Sequence, residues 1–274
     1  MKDLPEKIEQ TKQYIVSETK FQPQVGLILG TGLAGLADEI EKEYVLPYED
    51  IPHFPVSTVE THRGNLIFGI LGGKRVVAMQ GRFHYYEGYS MQQITFPVRV
   101  MRALGIQCLL LSNAAGGINP GFKKGDLVLI DDHINLQPEH PLRGRNFEEL
   151  GPRFPDMLHT YDQDLIRQGL DIAHKNGIRC HSGVYVGVQG PSLETPAEYK
   201  FMHVIGGDVV GMSTVPEAIV AKHMELKLFA ISVCTDMGYP PEAIQVTTHD
   251  DVIAEAKAAE PRMTLIIREL IKSL

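Results

Sequence analysis

Val25-Gly-Leu-Ile-Leu-Gly-Thr-Gly-Leu-Ala-Gly35 joins a short, uninterrupted apolar run to a glycine-spaced turn. The run is too short for a buried helix. It reads as a strand covered on both faces, a pattern found mainly in α/β sheets. Further runs follow at Leu66 to Leu71, Arg75 to Met79, Gln107 to Leu111, Leu127 to Asp131, Gly183 to Val188, Asp208 to Gly211 and Leu228 to Cys234. Helical patterns lie between them. Ser90 with Gln93 opens one that stops at Gly105, and Thr195-Pro-Ala-Glu198 is a capping box closed by Gly206-Gly207. Thr214-Val-Pro-Glu217 has the same appearance, and a last helix begins near Asp250 with Pro261 expected to kink or restart it. No repeat, low-complexity tract or linker interrupts the order, so residues 1–274 read as a single α/β domain with a largely parallel or mixed central sheet.

Composition narrows the setting. With 274 residues, 43% apolar and 22% charged, the chain can bury a large core. A formal net charge of -8, with no Lys/Arg cluster, argues against a nucleic-acid surface. No segment approaches the roughly 20 apolar residues of a membrane span. The polar, amphipathic Met1 to Lys20 stretch is not a signal peptide, and Cys108, Cys180 and Cys234 read as reduced thiols, which together place the protein in the cytoplasm.

Function in such sheets collects where strands end. Gly30-Thr-Gly-Leu-Ala-Gly35 and Ser112-Asn-Ala-Ala-Gly-Gly117 are small-residue loops that let backbone N–H groups approach an oxyanion. The first also has the glycine spacing of the dinucleotide fingerprint, which makes a nicotinamide-dependent oxidoreductase the rival reading. That fingerprint needs an acid at the end of the second strand, whereas the nearest acids, Glu49 and Asp50, sit in a proline-bounded loop. Gly81-Arg-Phe-His-Tyr-Tyr-Glu-Gly-Tyr89 crowds a guanidinium, an imidazole, phenols and a carboxylate between glycines. Arg82 and His84, two apart on an extended segment, can face one anion, with phosphate the obvious candidate. A metal centre is not expected: His133 beside Asp131 and Asp132 reads as a loop residue at a strand end, and no ligand spacing supports it.

Eight segments together resemble the trimeric purine nucleoside phosphorylases, a family that also includes methylthioadenosine phosphorylase: Gly30 to Leu36, Val59 to Gly64, Gly81 to Tyr89, Thr95 to Val100, Asn113 to Gly117, Asp132 to Asn135, Gly190 to Thr195 and Gly211 to Glu217. The resemblance implies a twisted mixed sheet flanked by helices, a homotrimer, and phosphate-dependent cleavage of purine (deoxy)ribonucleosides in purine salvage, with inorganic phosphate as co-substrate and no other cofactor. It places phosphate among Thr31, His62, Arg82, His84, the Ala114 N–H and Ser213, Thr31 standing where serine is more usual. Ribose falls to Tyr86, Met212 and His249, and Phe154 matches the aromatic that reaches into a neighbouring subunit's site. Glu87 is expected to orient His84. The base falls to Glu194, Asp236, Leu193, Ala115, Gly116 and Val210.

Two base-site residues depart from the family pattern. Leu193 replaces a frequent aromatic. Asp236 stands where members specific for 6-oxopurines carry asparagine and methylthioadenosine phosphorylases carry aspartate. An ionised carboxylate cannot donate to purine N7, so Asp236 is expected to be neutral, raised by burial and by nearby Glu194, and to act as general acid. Glu194 accepts from N1–H, which adenine lacks. Gly238, two residues past Asp236, is not a second acid. Inosine and guanosine are therefore the expected substrates, 6-aminopurine nucleosides such as methylthioadenosine the alternative. A non-catalytic purine or phosphate sensor is disfavoured, since it would need neither the acid nor the ribose contacts.

Overall fold

The computed structural model describes residues 3–30, 34–56 and 64–274. Thr31 and His62 lie outside them. The strands run β1 Val25–Leu29, β2 Glu41–Pro47, β3 Asn65–Leu71, β4 Lys74–Gln80, β5 Cys108–Gly117, β6 Leu127–Asn135, β7 Cys180–Gly187, β8 Val209–Gly211 and β9 Lys227–Met237. The helices are α1 Leu4–Thr19, α2 Met91–Ile94, α3 Phe96–Leu104, α4 Gln163–Lys175, α5 Pro196–Val204, α6 Val215–His223 and α7 His249–Ser273.

The expected mixed sheet forms, in the order β2-β3-β4-β1-β5-β8-β7-β6-β9. It also closes on itself. β5 pairs in parallel with β9, β9 antiparallel with β6, β6 and β7 in parallel, β7 and β8 in parallel, and β8 antiparallel with the end of β5. These five pairings complete a circuit, so half of the sheet is a small barrel whose interior strands have no free edge. β1 is buried along its whole length between β4 and β5, which explains its unbroken apolar sequence.

Several boundaries differ from the sequence pattern, each for a local reason. β2 has a largely exposed, charged sequence with a register shift between Lys42 and Tyr44, features of a protected edge strand that hide the apolar signal. Glu49 and Asp50 form a 3-10 turn directly after it, so they do follow a strand. β5, β6 and β9 run past their apolar segments, and His133 lies inside β6, where its Nδ1 is 3.1 Å from the Tyr161 hydroxyl. The helix expected from Ser90 to Gly105 is two helices. Pro97 cannot supply the N–H that would carry α2 into α3, and the Thr95 hydroxyl donates to the Met91 carbonyl at 2.8 Å.

Thr195 caps α5 as expected, with Glu198 completing the box. Thr214 does not cap α6 with its side chain. It sits at φ +66°, the centre of a three-residue turn closed by the Val215 N–H donating to the Ser213 carbonyl at 2.7 Å. Positive φ in a β-branched residue is strained by about 1–3 kcal/mol and persists where surrounding contacts hold it. The Asn113 amide supplies one, donating to the Thr214 hydroxyl at 2.9 Å.

α7 is a single helix that runs through Pro261, so the restart expected there does not occur. Pro261 is exposed, while Ala256, Ala259, Met263, Ile266, Ile267 and Leu270 form a buried stripe that holds the helix against the sheet. Pro261→Ala restores the missing backbone donor. Urea unfolding should therefore show it more stable than the parent by about 1–3 kcal/mol.

Candidate active site

A cavity of about 400 Å³ opens where the C-terminal ends of β5, β8 and β9 meet. Arg82, His84, Tyr86, Ala114, Ala115, Gly116, Leu193, Glu194, Val210, Met212, Ser213, Asp236 and His249 all line it. Asn113, Pro191, Gly211, Thr235 and Val252, to which the sequence assigned no individual contact, line it too.

The β5–β9 pairing explains how consecutive residues share this wall. Side chains normally alternate between faces of a strand. Here the register slips after the Ala115–Cys234 pair and resumes at Gly116–Asp236, leaving Thr235 as an extra residue. The bulge turns both Thr235 and Asp236 to the cavity. Thr235 Oγ1 lies 3.3 Å from the Ala115 carbonyl and 3.0 Å from Asp236 Oδ1.

One polar cluster surrounds Arg82, which is almost completely buried. Its Nε donates to Glu217 Oε1 at 3.2 Å and its Nη1 to the Ser112 carbonyl at 2.7 Å. Glu217 comes from the first turn of α6, which the Thr214 turn positions. Ser213 is held by the same turn. Its N–H donates to the Tyr185 hydroxyl at 3.2 Å, and its Oγ lies 3.1 Å from Thr214 Oγ1.

His84 is extended and stacks on Tyr86 at 4.7 Å and 14°. Glu87 accepts from the His84 backbone N–H at 2.7 Å and lies 3.2 Å from its Nδ1. The carboxylate thus selects the Nδ1–H tautomer, the orienting role expected for Glu87. Burial lowers the His84 pKa and outweighs its hydrogen bond to Glu87, so the ring is neutral at pH 7. Burial raises the Tyr86 phenol to about 12, so it remains a donor.

A second cluster holds the carboxylates. Burial raises both Glu194 and Asp236 above ordinary carboxylate values. For Asp236 burial is the dominant cause, opposed by hydrogen bonds from Thr235 and Tyr199; Glu194 is not what lifts it. Met212 packs against Gly190, where φ is +71° and a Cβ would stand 2.3 Å from the Met212 sulfur, so only glycine fits. Leu193 is half exposed at the rim.

Phe154 is not brought to this cavity. It is 86% exposed, with the Arg153 guanidinium over its ring at 5.6 Å. Among the described residues no group of three or more His, Cys, Asp or Glu is placed to hold a metal, and no helix is long and apolar enough to cross a membrane.

The dinucleotide reading does not survive the geometry. The segment Ala34–Asp38 is a short 3-10 helix rather than an α-helix, and Glu260 of α7 accepts from the Gly35 and Leu36 N–H groups. Those donors, which would face a pyrophosphate, are occupied by the protein's own carboxylate. β2 is antiparallel and lies at the far edge of the sheet, so Glu49 and Asp50 are nowhere near β1.

Fold and cavity define a nucleoside-processing transferase of the phosphorylase superfamily, and residues 24–272 match that family's model. The chain belongs to this superfamily and, within it, to the purine nucleoside phosphorylases. It is 49% identical to purine nucleoside phosphorylase 1 of Geobacillus stearothermophilus over 97% of both chains. It is 43% identical to the Mus musculus purine nucleoside phosphorylase over 98% of this chain and 95% of that one. Schistosoma mansoni purine nucleoside phosphorylase in complex with inosine superposes with a TM-score of 0.93 at 41% identity, covering 98% of this chain and 96% of that chain.

Glu217 was invisible as a site residue because nothing in its helix-opening motif reveals an ion pair with Arg82, far away in sequence. Glu217→Ala leaves a buried guanidinium without its counter-charge, at a cost of about 3–5 kcal/mol. A lower urea midpoint and a higher KM for phosphate should appear together.

Proposed function

We propose that this chain cleaves 6-oxopurine nucleosides, inosine and guanosine foremost, by reversible phosphorolysis to free base and (deoxy)ribose 1-phosphate. The observation that carries the reading is one cavity with a buried polar cluster around Arg82 and a separate pair of raised carboxylates, Glu194 and Asp236. The first suits an oxyanion, the second a purine edge.

Phosphate is assigned to Arg82, neutral His84, Ser213 and the Ala114 backbone, with Thr31 and His62 completing the set. His84 is assigned as a hydrogen-bonding partner of the phosphate. Tyr86, Met212 and His249 hold the ribose. A phosphate oxygen attacks the anomeric carbon as the bond to purine N9 breaks, and the bonding pair leaves with the base. Asp236 donates its proton to N7, so the base departs neutral rather than as an anion.

Glu194 and Asp236 must then differ in charge, and a 6-oxopurine enforces the difference. Its N1–H stabilises an ionised Glu194, and its N7 lone pair stabilises a protonated Asp236. Adenine presents a lone pair at N1 and loses the first contact, a penalty of roughly 1–3 kcal/mol, or about tenfold or more. A Schistosoma mansoni relative has been crystallised with adenosine, so binding of a 6-aminopurine is kept distinct from turnover.

The assembly is assigned as a homotrimer in which exposed Phe154 completes a neighbour's ribose site, which leaves an isolated subunit nearly inactive. The whole chain acts as one domain in the cytoplasm, with its three cysteines as free thiols.

Base release from inosine, guanosine, adenosine and methylthioadenosine, each with and without phosphate, tests the reading. The 6-oxopurines should lead by about tenfold or more, and no phosphate dependence with any of the four would refute it. At saturating phosphate, inosine turnover should rise with pH as Glu194 ionises and fall as Asp236 loses its proton. Asp236→Asn, whose amide donates at any pH, should abolish the alkaline fall. An alkaline fall unchanged in this variant would remove Asp236 from the acid's role.

A further inference from the structure

Behind the two carboxylates stands a residue with no assigned part in the site. Tyr199, in the first turn of α5, is buried, and its hydroxyl donates to Asp236 Oδ2 at 3.4 Å. The same phenol interacts with Glu194. Among the described residues it is the side chain whose hydrogen bonding acts on both members of the pair.

The surrounding chain is shaped around this ring. A Cβ at Gly238 would lie 2.1 Å from Tyr199 Cδ1 and 2.2 Å from Cε1, well inside contact distance. The backbone there is pinned by the Gly238 N–H donating to the Gly117 carbonyl at 2.8 Å, so it cannot simply move aside. The missing second acid at Gly238 and the presence of Tyr199 thus have one cause: the ring fills the space that a side chain at 238 would need. On the other side, Ile118, Val186, Met202 and Val210 pack the ring in place. α5 itself is fixed by the Thr195 box, one residue past Glu194, so Glu194 and Tyr199 are held by a single rigid turn.

A phenol has one proton and two lone pairs. Between two carboxylates it can donate to one and accept from the other only if that other carries a proton. We propose that Tyr199 is a positioning residue of the base site, its phenol joining Glu194 and Asp236 into one hydrogen-bonded unit that shares a single carboxyl proton, which Asp236 turns from the phenol to N7 when the purine binds. This rests on the reading of Glu194 and Asp236 as the base-binding pair. In the 6-oxopurine complex the order is Asp236 protonated, Tyr199 donating to Glu194, and Glu194 accepting from both Tyr199 and N1–H. When Asp236 releases its proton to N7, the Tyr199 hydroxyl turns to the new carboxylate, the contact seen in the unliganded chain.

Other groups facing the unit are Thr235 and Lys124 toward Asp236, Glu198 toward Glu194, and Cys234 toward Asp236, with His249 on the opposite cavity wall. None of these touches both carboxylates.

Tyr199→Phe keeps the ring in the Gly238 cleft and removes only the bridge. The singly protonated pair then loses the bridge that stabilised it against both gaining and losing a proton, so the limbs of the inosine kcat/KM profile should move toward each other, the acid limb to higher pH and the alkaline limb to lower pH, by about half a unit to one unit. The melting temperature should change little. Gly238→Ala, which forces the ring out, should give the same pair of shifts in a chain that still carries the hydroxyl. Limbs that stay in place in both variants would overturn the proposal, because a ring that only packs would alter stability without moving either limb. Failure of the general-acid reading is separable: it appears as an alkaline limb that persists in Asp236→Asn, whatever Tyr199→Phe does.

Discussion

The pairing of β5 with β9 is the constraint on which the site depends. These two strands run in parallel from Cys108 and Lys227, at the floor of the core, to Gly117 and Met237 at the cavity. Along the way they pass from fully apolar to small and polar. Leu109, Leu110, Phe229 and Ile231 are buried completely, each contributing roughly 1.5–3 kcal/mol by leaving water. Farther along, Asn113 receives a hydrogen bond from Ser232 at 2.7 Å and gives one to Thr214. Through that single amide the seam fixes the strained turn that aims Ser213 and starts α6.

The same seam explains why two kinds of chemistry coexist in one cavity. Next to it, the α6 carboxylate Glu217 neutralises Arg82, so a buried cation survives without solvent. Beyond it, the bulge at Thr235 delivers Asp236 to a wall shared with Gly116, whose missing side chain leaves room: a Cβ there would stand 3.3 Å from Asp236 Oδ2. The cluster around Arg82 is framed by its buried ion pair with Glu217. The carboxylate pair needs incomplete compensation, since raised proton affinity comes from burial that hydrogen bonds do not cancel.

Much of this was legible in the sequence, and the exceptions have physical causes. Strands such as Val25–Leu29 announce themselves because both faces are covered, and the Arg82 to Tyr89 run because no packing need explains its mixture of groups. Closure of β5 to β9 into a ring is a matter of long-range pairing, which leaves no periodic trace. The same is true of the Thr235 bulge, of Glu260 occupying donors of the glycine-rich turn, and of Tyr199, an aromatic residue in an ordinary helix. Gly238 is the instructive case. Its sequence reading noted only a missing acid, whereas the structure gives the reason as a ring lodged against its backbone. Phe154 is the opposite: its motif drew attention, yet the fold leaves it exposed and away from the cavity.

The central claim is that this cavity transfers the pentosyl group to phosphate rather than to water. Phosphorus-31 magnetic resonance of a reaction containing the chain, inosine and inorganic phosphate reads that choice directly. A ribose 1-phosphate signal growing in step with hypoxanthine, one for one, is the expected result. Hypoxanthine released alongside free ribose, with the inorganic phosphate signal undiminished, would contradict the account.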